Sequence, residues 1–275
     1  MRFQISYLAQ RSLFPHYQLL GPNQGNKGSA RQAFIDYHTP MSLDSLPGSP
    51  PDIAAAIFFL VGWSLFAYGA EGYFSARPTL TSAMNRQREA WMRTMARRDL
   101  RMVDTGIMSG LQQGTAFFAS SCIFAIGGCF ALLGSADAVM EVLGDLPATS
   151  VVARPVFEAK VLGLVAILSY AFFKFGWAYR LFNYCSILIG AVPVPGLDGE
   201  IDAESEIAAS RASRMNILAG KHFESGLRAI FFAIGYLGWF IGPWVFMATT
   251  AFVLGVLIRR QFFSAARKAV LRPDP

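Results

Sequence analysis

The chain has 275 residues, of which 53% are hydrophobic and only 15% charged, and its mean hydropathy is +0.38. Soluble domains carry about 25% charged residues, so this composition, with its long charge-free runs, excludes an ordinary soluble domain and places the chain in the membrane class. The net charge of +6 is no nucleic-acid signal, because the basic residues gather in particular loops, where they set orientation and meet anionic lipid.

Residues 1–50 are rich in proline and glycine, including Pro15, Gly21, Pro22, Gly25, Pro40, Pro47 and Pro50. Arg11 interrupts the first apolar run, so no signal-peptide core forms. The segment reads as a disordered leader. Met41 offers a second start just before the first apolar helix, and residues 1–40 are therefore expected to be an overextended gene start. Peptides from residues 1–40 in the native protein would contradict this. Residues 51–268 read as one helical membrane domain and residues 269–275 as a flexible tail.

The first span is expected from Ile53 to Phe74. Its charge-free part, Ile53 to Ala70, is 18 residues, about 27 Å as a helix, against a bilayer core of about 30 Å. The segment Ser75 to Asp104 carries Arg77, Arg86, Arg88, Arg93, Arg97, Arg98 and Arg101 against Glu89, Asp99 and Asp104. Met84, Trp91, Met95 and Met102 recur at helical spacing, which predicts an amphipathic cytoplasmic helix lying along the membrane surface or against the bundle.

The second span is expected over Ile107 to Gly134. Gly106, Gly110 and Gly114 lie four apart on one helix face and permit close approach of another backbone, inside the monomer or between copies. The third apolar region, Val156 to Val192, is long enough for a span and a half and is interrupted by Glu158, Lys160, Lys174 and Arg180. An acidic-then-basic loop follows, with a short surface helix after Ile201. The last span is expected between Arg228 and Arg259, kinked at Gly242–Pro243.

These elements predict an all-α fold: a polytopic helical membrane bundle of about four transmembrane helices. The positive-inside rule puts the arginine-rich segment in the cytoplasm. Four simple spans then leave the basic tail outside, against the rule. A fifth crossing by Leu181–Val192, or a hairpin at Gly242–Pro243, would repair the conflict.

Two runs are distinctive: Tyr170-Ala-Phe-Phe-Lys-Phe-Gly-Trp-Ala-Tyr-Arg-Leu-Phe-Asn-Tyr-Cys-Ser-Ile-Leu-Ile-Gly-Ala-Val-Pro193 and Met84-Asn-Arg-Gln-Arg-Glu-Ala-Trp-Met92. With these runs the chain resembles a family of bacterial membrane proteins catalogued as domain of unknown function five-ninety-nine, over about residues 53 to 268. The resemblance implies a multi-pass protein of the bacterial inner membrane and carries over no activity, substrate or catalytic residue.

Ionisable groups inside spans need a buried partner or water. Depth along the helices groups Glu71, Gln112, Gln113, Lys174, Arg180 and Asn183 near the cytoplasmic interface, as a candidate polar cluster. It reads either as snorkelling cations with a fold-stabilising ion pair or as a substrate or lipid-headgroup site. Glu158 and Lys160 sit near the outer face, two residues apart, and need separate partners. Cys122, Cys129 and Cys185 lie in apolar stretches as packing residues. His16, His38 and His222 are scattered, and no catalytic or phosphate-binding motif is present. No cofactor, metal or enzymatic activity is expected. The expected partners are anionic lipid headgroups at the arginine-rich segment, and a second copy or a membrane-complex partner. Two functions follow: an accessory or scaffold membrane protein, or a binder or translocator of a small solute, ion or lipid headgroup. A dry interior favours the first, and a polar cavity ending at Lys174 and Arg180 favours the second.

Overall fold

The computed structural model describes residues 49–70, 78–144, 153–194 and 202–271. The leader and Glu71 therefore lie outside the described residues. The described elements are helical: α1 (Pro50–Ala70), α2 (Leu80–Ala96), α3 (Met102–Gly134), α4 (Ala136–Gly144), α5 (Arg154–Gly190), α6 (Ala203–Tyr236), a 3-10 turn (Leu237–Phe240), α7 (Pro243–Phe262) and α8 (Ala265–Leu271). Four segments are long and apolar enough to cross a membrane: Pro50–Ala70, Met102–Gly134, Arg154–Gly190 and Pro243–Leu271. The protein is a helical membrane bundle.

The ends of α1 mark two levels. At its start, the Asp52 carboxylate accepts from the Trp239 indole at 2.6 Å and lies 3.5 Å from Lys160 Nζ. At its end, the Ala70 carbonyl accepts from Gln261, whose amide also donates to the Thr81 hydroxyl, which donates in turn to Glu224. Phe223, beside Glu224, packs its ring on Phe175 and Phe118. One level thus joins Ala70, Phe118, Phe175, Glu224 and Gln261, and the other joins Asp52, Lys160 and Trp239. The intervening helix lengths are about 22–27 Å, close to a bilayer core.

The second half of α6 covers the same height. It climbs from Glu224 to Tyr236, turns through the 3-10 segment, and α7 descends beside it. The expected kink at Gly242–Pro243 is therefore a complete reversal: two antiparallel helices instead of one bent one. Pro243 suits the first turn of a new helix, where its missing N–H is not needed. The arms approach closely, with the Thr249 hydroxyl donating to the Gly235 carbonyl at 2.7 Å. A Cβ on Gly238 would lie 2.4 Å from Thr249 Oγ1, so only glycine fits there.

The reversal resolves the charge conflict. Arg267 Nε donates to the Pro78 carbonyl at 2.8 Å, so the basic tail ends beside the start of arginine-rich α2. The expected flexible tail begins as helix α8, which runs to Leu271. A fluorescent protein fused after Pro275 is expected to fluoresce in cells, and alkaline phosphatase at the same position to stay inactive. Phosphatase activity there would contradict the hairpin.

Two cores stack along the bundle and meet at Phe223. The first is aromatic. Phe59 sits among Trp63, Phe232, Tyr236 and Phe246 with centroids 5.2–5.7 Å apart, and Trp63 stacks on Phe232 at 5.1 Å. The second, beyond the Phe118–Phe175–Glu224 level, packs Met92, Met95, Met108, Phe182, Cys185 and Ile189 against Ala209, Ala212 and Ala219. This inner layer takes α2 and the adjoining parts of α3, α5 and α6. It explains the excess length of Val156–Val192: α5 crosses once and then continues into the layer. The expected surface helix after Ile201 is the first half of α6, opened by Asp202, whose carboxylate accepts from Ser205 N; hydrogen bonding from the Ser205 side chain, and then from its backbone N–H, holds that carboxylate below its usual range.

The buried face of α2 is Ala83, Met92, Met95 and Ala96. Of the expected stripe, Met95 is buried and Trp91 half-buried, whereas Met84 and Met102 are exposed. Met102 leaves the stripe because α2 ends at Ala96 and Met102 opens α3, and Met84 lies beside the buried Ala83 on the edge of the packed face.

Candidate functional site

The expected polar cluster takes separate partners. Gln112 donates to the Ser186 hydroxyl at 3.0 Å and Gln113 reaches Ser109 on its own helix at 3.4 Å. Arg180 Nε donates to the Tyr184 hydroxyl at 2.6 Å, with the guanidinium over the Trp177 and Tyr184 rings. Lys174 Nζ lies 5.2 Å from the Tyr170 centroid. Burial depresses the His222 imidazole, and the Lys174 charge depresses it further. Asn183 is half-buried. Glu71, the acid of the expected pair with Lys174 or Arg180, lies outside the described residues.

The buried charges that organise the bundle lie elsewhere. In the inner layer Asp104 has no exposure. It accepts from the Trp91 indole at 2.7 Å and from Arg98 at 2.8 Å, pinning α2 to the start of α3. Arg101 donates to the carbonyls of Ile189, Val192 and Pro193. It supplies the cation that the last turn of α5 lacks. Arg88 donates to the Asn216 carbonyl at 3.0 Å. Burial pushes its guanidinium below the ordinary value, and the charge of Glu224 opposes that shift. Gly220 makes room for it, since a Cβ there would lie 1.5 Å from Arg88 Nη1. Arg88 and Arg101 of the expected lipid-facing set therefore point inward and Arg98 folds back onto Asp104, its side chain 39% exposed, while Arg86, Arg93 and Arg97 are exposed.

At the outer level Lys160, with a side chain 6% exposed, donates to the Trp239 carbonyl at 3.1 Å and faces Asp52. Tyr236 donates to the Lys160 carbonyl. Glu158 pairs with Arg154 at 2.8 Å. Lys160 and Glu158 thus have separate partners, as their spacing requires. Asp52 carried a sequence signal only as a lone acid at the start of an apolar run.

The open surface is on α3. Its buried residues are Asp104, Met108, Thr115, Cys122 and Cys129. The opposite stripe carries Val103, Gly106, Ile107, Gly110, Gly114 and Phe117, with Val103 64% and Phe117 67% exposed. A Cβ built on Gly106, Gly110 or Gly114 would meet nothing within 4 Å. Among the described residues the glycines thus line no helix contact. They also lie on the inner-layer side of Phe118, whose ring meets Phe175 and Phe223.

No curated protein and no solved structure matches the chain. A family model described as a protein of unknown function, DUF599, matches residues 54–266, which spans α1 through the start of α8, and the chain belongs to that family.

Proposed function

We propose that this chain is an assembly protein of the bacterial inner membrane, without enzymatic activity, which pairs with a second copy of itself through the open inner face of α3. The observation that carries this reading is the unfilled stripe Val103–Gly106–Ile107–Gly110–Gly114–Phe117. Apolar groups exposed beyond the acyl-chain region are not covered by lipid tails, and such patches mark protein contacts. A glycine stripe is complementary to its own copy, so a two-fold axis along the membrane normal brings the two faces together. Translocation has less support. Phe59, Trp63, Phe232, Tyr236 and Phe246 pack the interior between the two levels, and the cavity of about 600 Å³ between α1 and α5, lined by Trp63 and Tyr170, has no charged residue in its wall. The bacterial inner membrane is part of this proposal; the family resemblance supports it, and the basic residues gathered on one side fit a multi-pass protein oriented by its charges.

Cysteine cross-linking in native membranes tests the pairing. Gly110→Cys is expected to give a cross-linked dimer with a short bifunctional maleimide. Phe252→Cys, on the 72% exposed lipid-facing side of α7, is expected to stay monomeric. The natural cysteines are buried and supply the background. Equal cross-linking at both positions, or none at Gly110→Cys, removes the proposed interface.

A further inference from the structure

A cavity of about 140 Å³ opens at the level where α1, α2, α6 and α7 meet, well above the roughly 10–15 Å³ that one water needs. Its floor is apolar, formed by Phe66, Phe231 and Leu257, and its rim carries Arg228 and Arg260. A second cavity of about 90 Å³ shares Ala70, Thr81, Glu224 and Arg228 with it, and adds the polar side chains of Ser82, Asn85 and Lys221. Arg228 stands at the junction of an apolar chamber and a polar one.

The two guanidiniums have spare donors. Arg228 gives one bond, to the Ser225 hydroxyl at 2.8 Å. Arg260 lies over the Phe231 ring at 5.9 Å. Among the described residues neither is in an ion pair. The nearby acid, Glu224, accepts from Thr81, which is held in turn by Gln261, so its bonded oxygen faces α2. Lys221 adds positive charge on the polar side. The cavity lies at the end of α1, a helix long and apolar enough to cross a bilayer core, the level at which an acyl chain ends and a headgroup begins.

We infer that this double cavity seats a phosphoglyceride, with its phosphate between Arg228 and Arg260, its acyl end on Phe66, Phe231 and Leu257, and its polar head toward Asn85 and Lys221. Guanidinium is the side chain suited to phosphate, because its fork donates two parallel hydrogen bonds. The chemistry requires both halves of the ligand. A free phosphate leaves the apolar floor empty, and a neutral diacylglycerol leaves the arginines unmatched. The site stands apart from the α3 face and is independent of the pairing proposed above.

Native mass spectrometry of the full chain in detergent, with three short-chain probes, tests this. Dioctanoyl phosphatidylglycerol is expected to remain as a one-to-one adduct. Dioctanoyl glycerol and glycerol 3-phosphate are each expected to be retained at least about tenfold less, the loss of one charge-assisted contact or of chain burial. R228Q/R260Q is expected to reduce phosphatidylglycerol retention by a similar factor. R93Q/R214Q, which removes equal charge from a different groove, leaves it unchanged. Equal retention of dioctanoyl glycerol overturns phosphate recognition. Glycerol 3-phosphate binding as tightly as the lipid makes this a soluble-anion site and overturns the lipid assignment. Unchanged retention in R228Q/R260Q, or equal loss in R93Q/R214Q, overturns the location. If R228Q/R260Q fails to fold, the three-probe comparison on the unaltered chain decides alone.

Discussion

Asp52→Ala is expected to destabilise the bundle by about 3–5 kcal/mol, the range for breaking a buried ion pair from one side. The substitution leaves Lys160, whose side chain is 6% exposed, facing the Trp239 carbonyl and ring with no anion. It also removes the acceptor of the Trp239 indole. Asp52 itself is 15% exposed, which puts the expected loss toward the lower end. Removing both charges is milder, because a buried pair replaced by apolar groups of similar size is often neutral. Asp52→Leu with Lys160→Met should therefore recover most of the loss. Denaturant unfolding in detergent, followed by tryptophan fluorescence, reads both variants. If the double variant is as unstable as the single one, the pair is not the source of the effect.

Asp104→Ala is expected to act on the other layer. Asp104 is fully buried and accepts from Trp91 and from the charged Arg98. Losing one neutral and one charge-assisted hydrogen bond, and stranding the indole N–H, should cost about 2–4 kcal/mol. The effect should be local. Amide hydrogen exchange is expected to rise across α2, Leu80–Ala96, with little change in the aromatic core around Phe59. Asp52→Ala should show the reverse pattern, raising exchange at the outer ends of α1 and α5 first. Uniform exchange changes in both variants would show that the two cores do not open separately.

The fold is unevenly legible along the chain, for physical reasons. Spans were legible where a charge-free run matches the bilayer, as from Ile53 to Ala70. They were less legible where a charge is satisfied inside a helix. Arg228 reads as the boundary before a last span, yet it lies inside α6, where it donates to Ser225. The Gly242–Pro243 break was visible, but whether it bends or reverses the chain depends on what packs at Gly235 and Gly238. The glycine stripe was visible as a periodicity. Its depth was not, because depth is set by the ring contacts of Phe118 with Phe175 and Phe223. The expected polar cluster was built from depth along each helix, and depth does not fix rotation. Gln112, Lys174 and Arg180 accordingly have separate partners. The anchors that do bridge the bundle, Asp52 to Lys160 and Asp104 to Trp91, join residues whose proximity no local pattern encodes.

The central claim is self-pairing through α3, and subunit counting tests it most directly. The unaltered chain, extracted with its surrounding lipid into polymer nanodiscs at low expression and labelled with one fluorophore per copy, should bleach predominantly in two steps. Single-step bleaching at every expression level would contradict the account, and would leave the open face of Gly106, Gly110 and Gly114 to lipid or to a different protein.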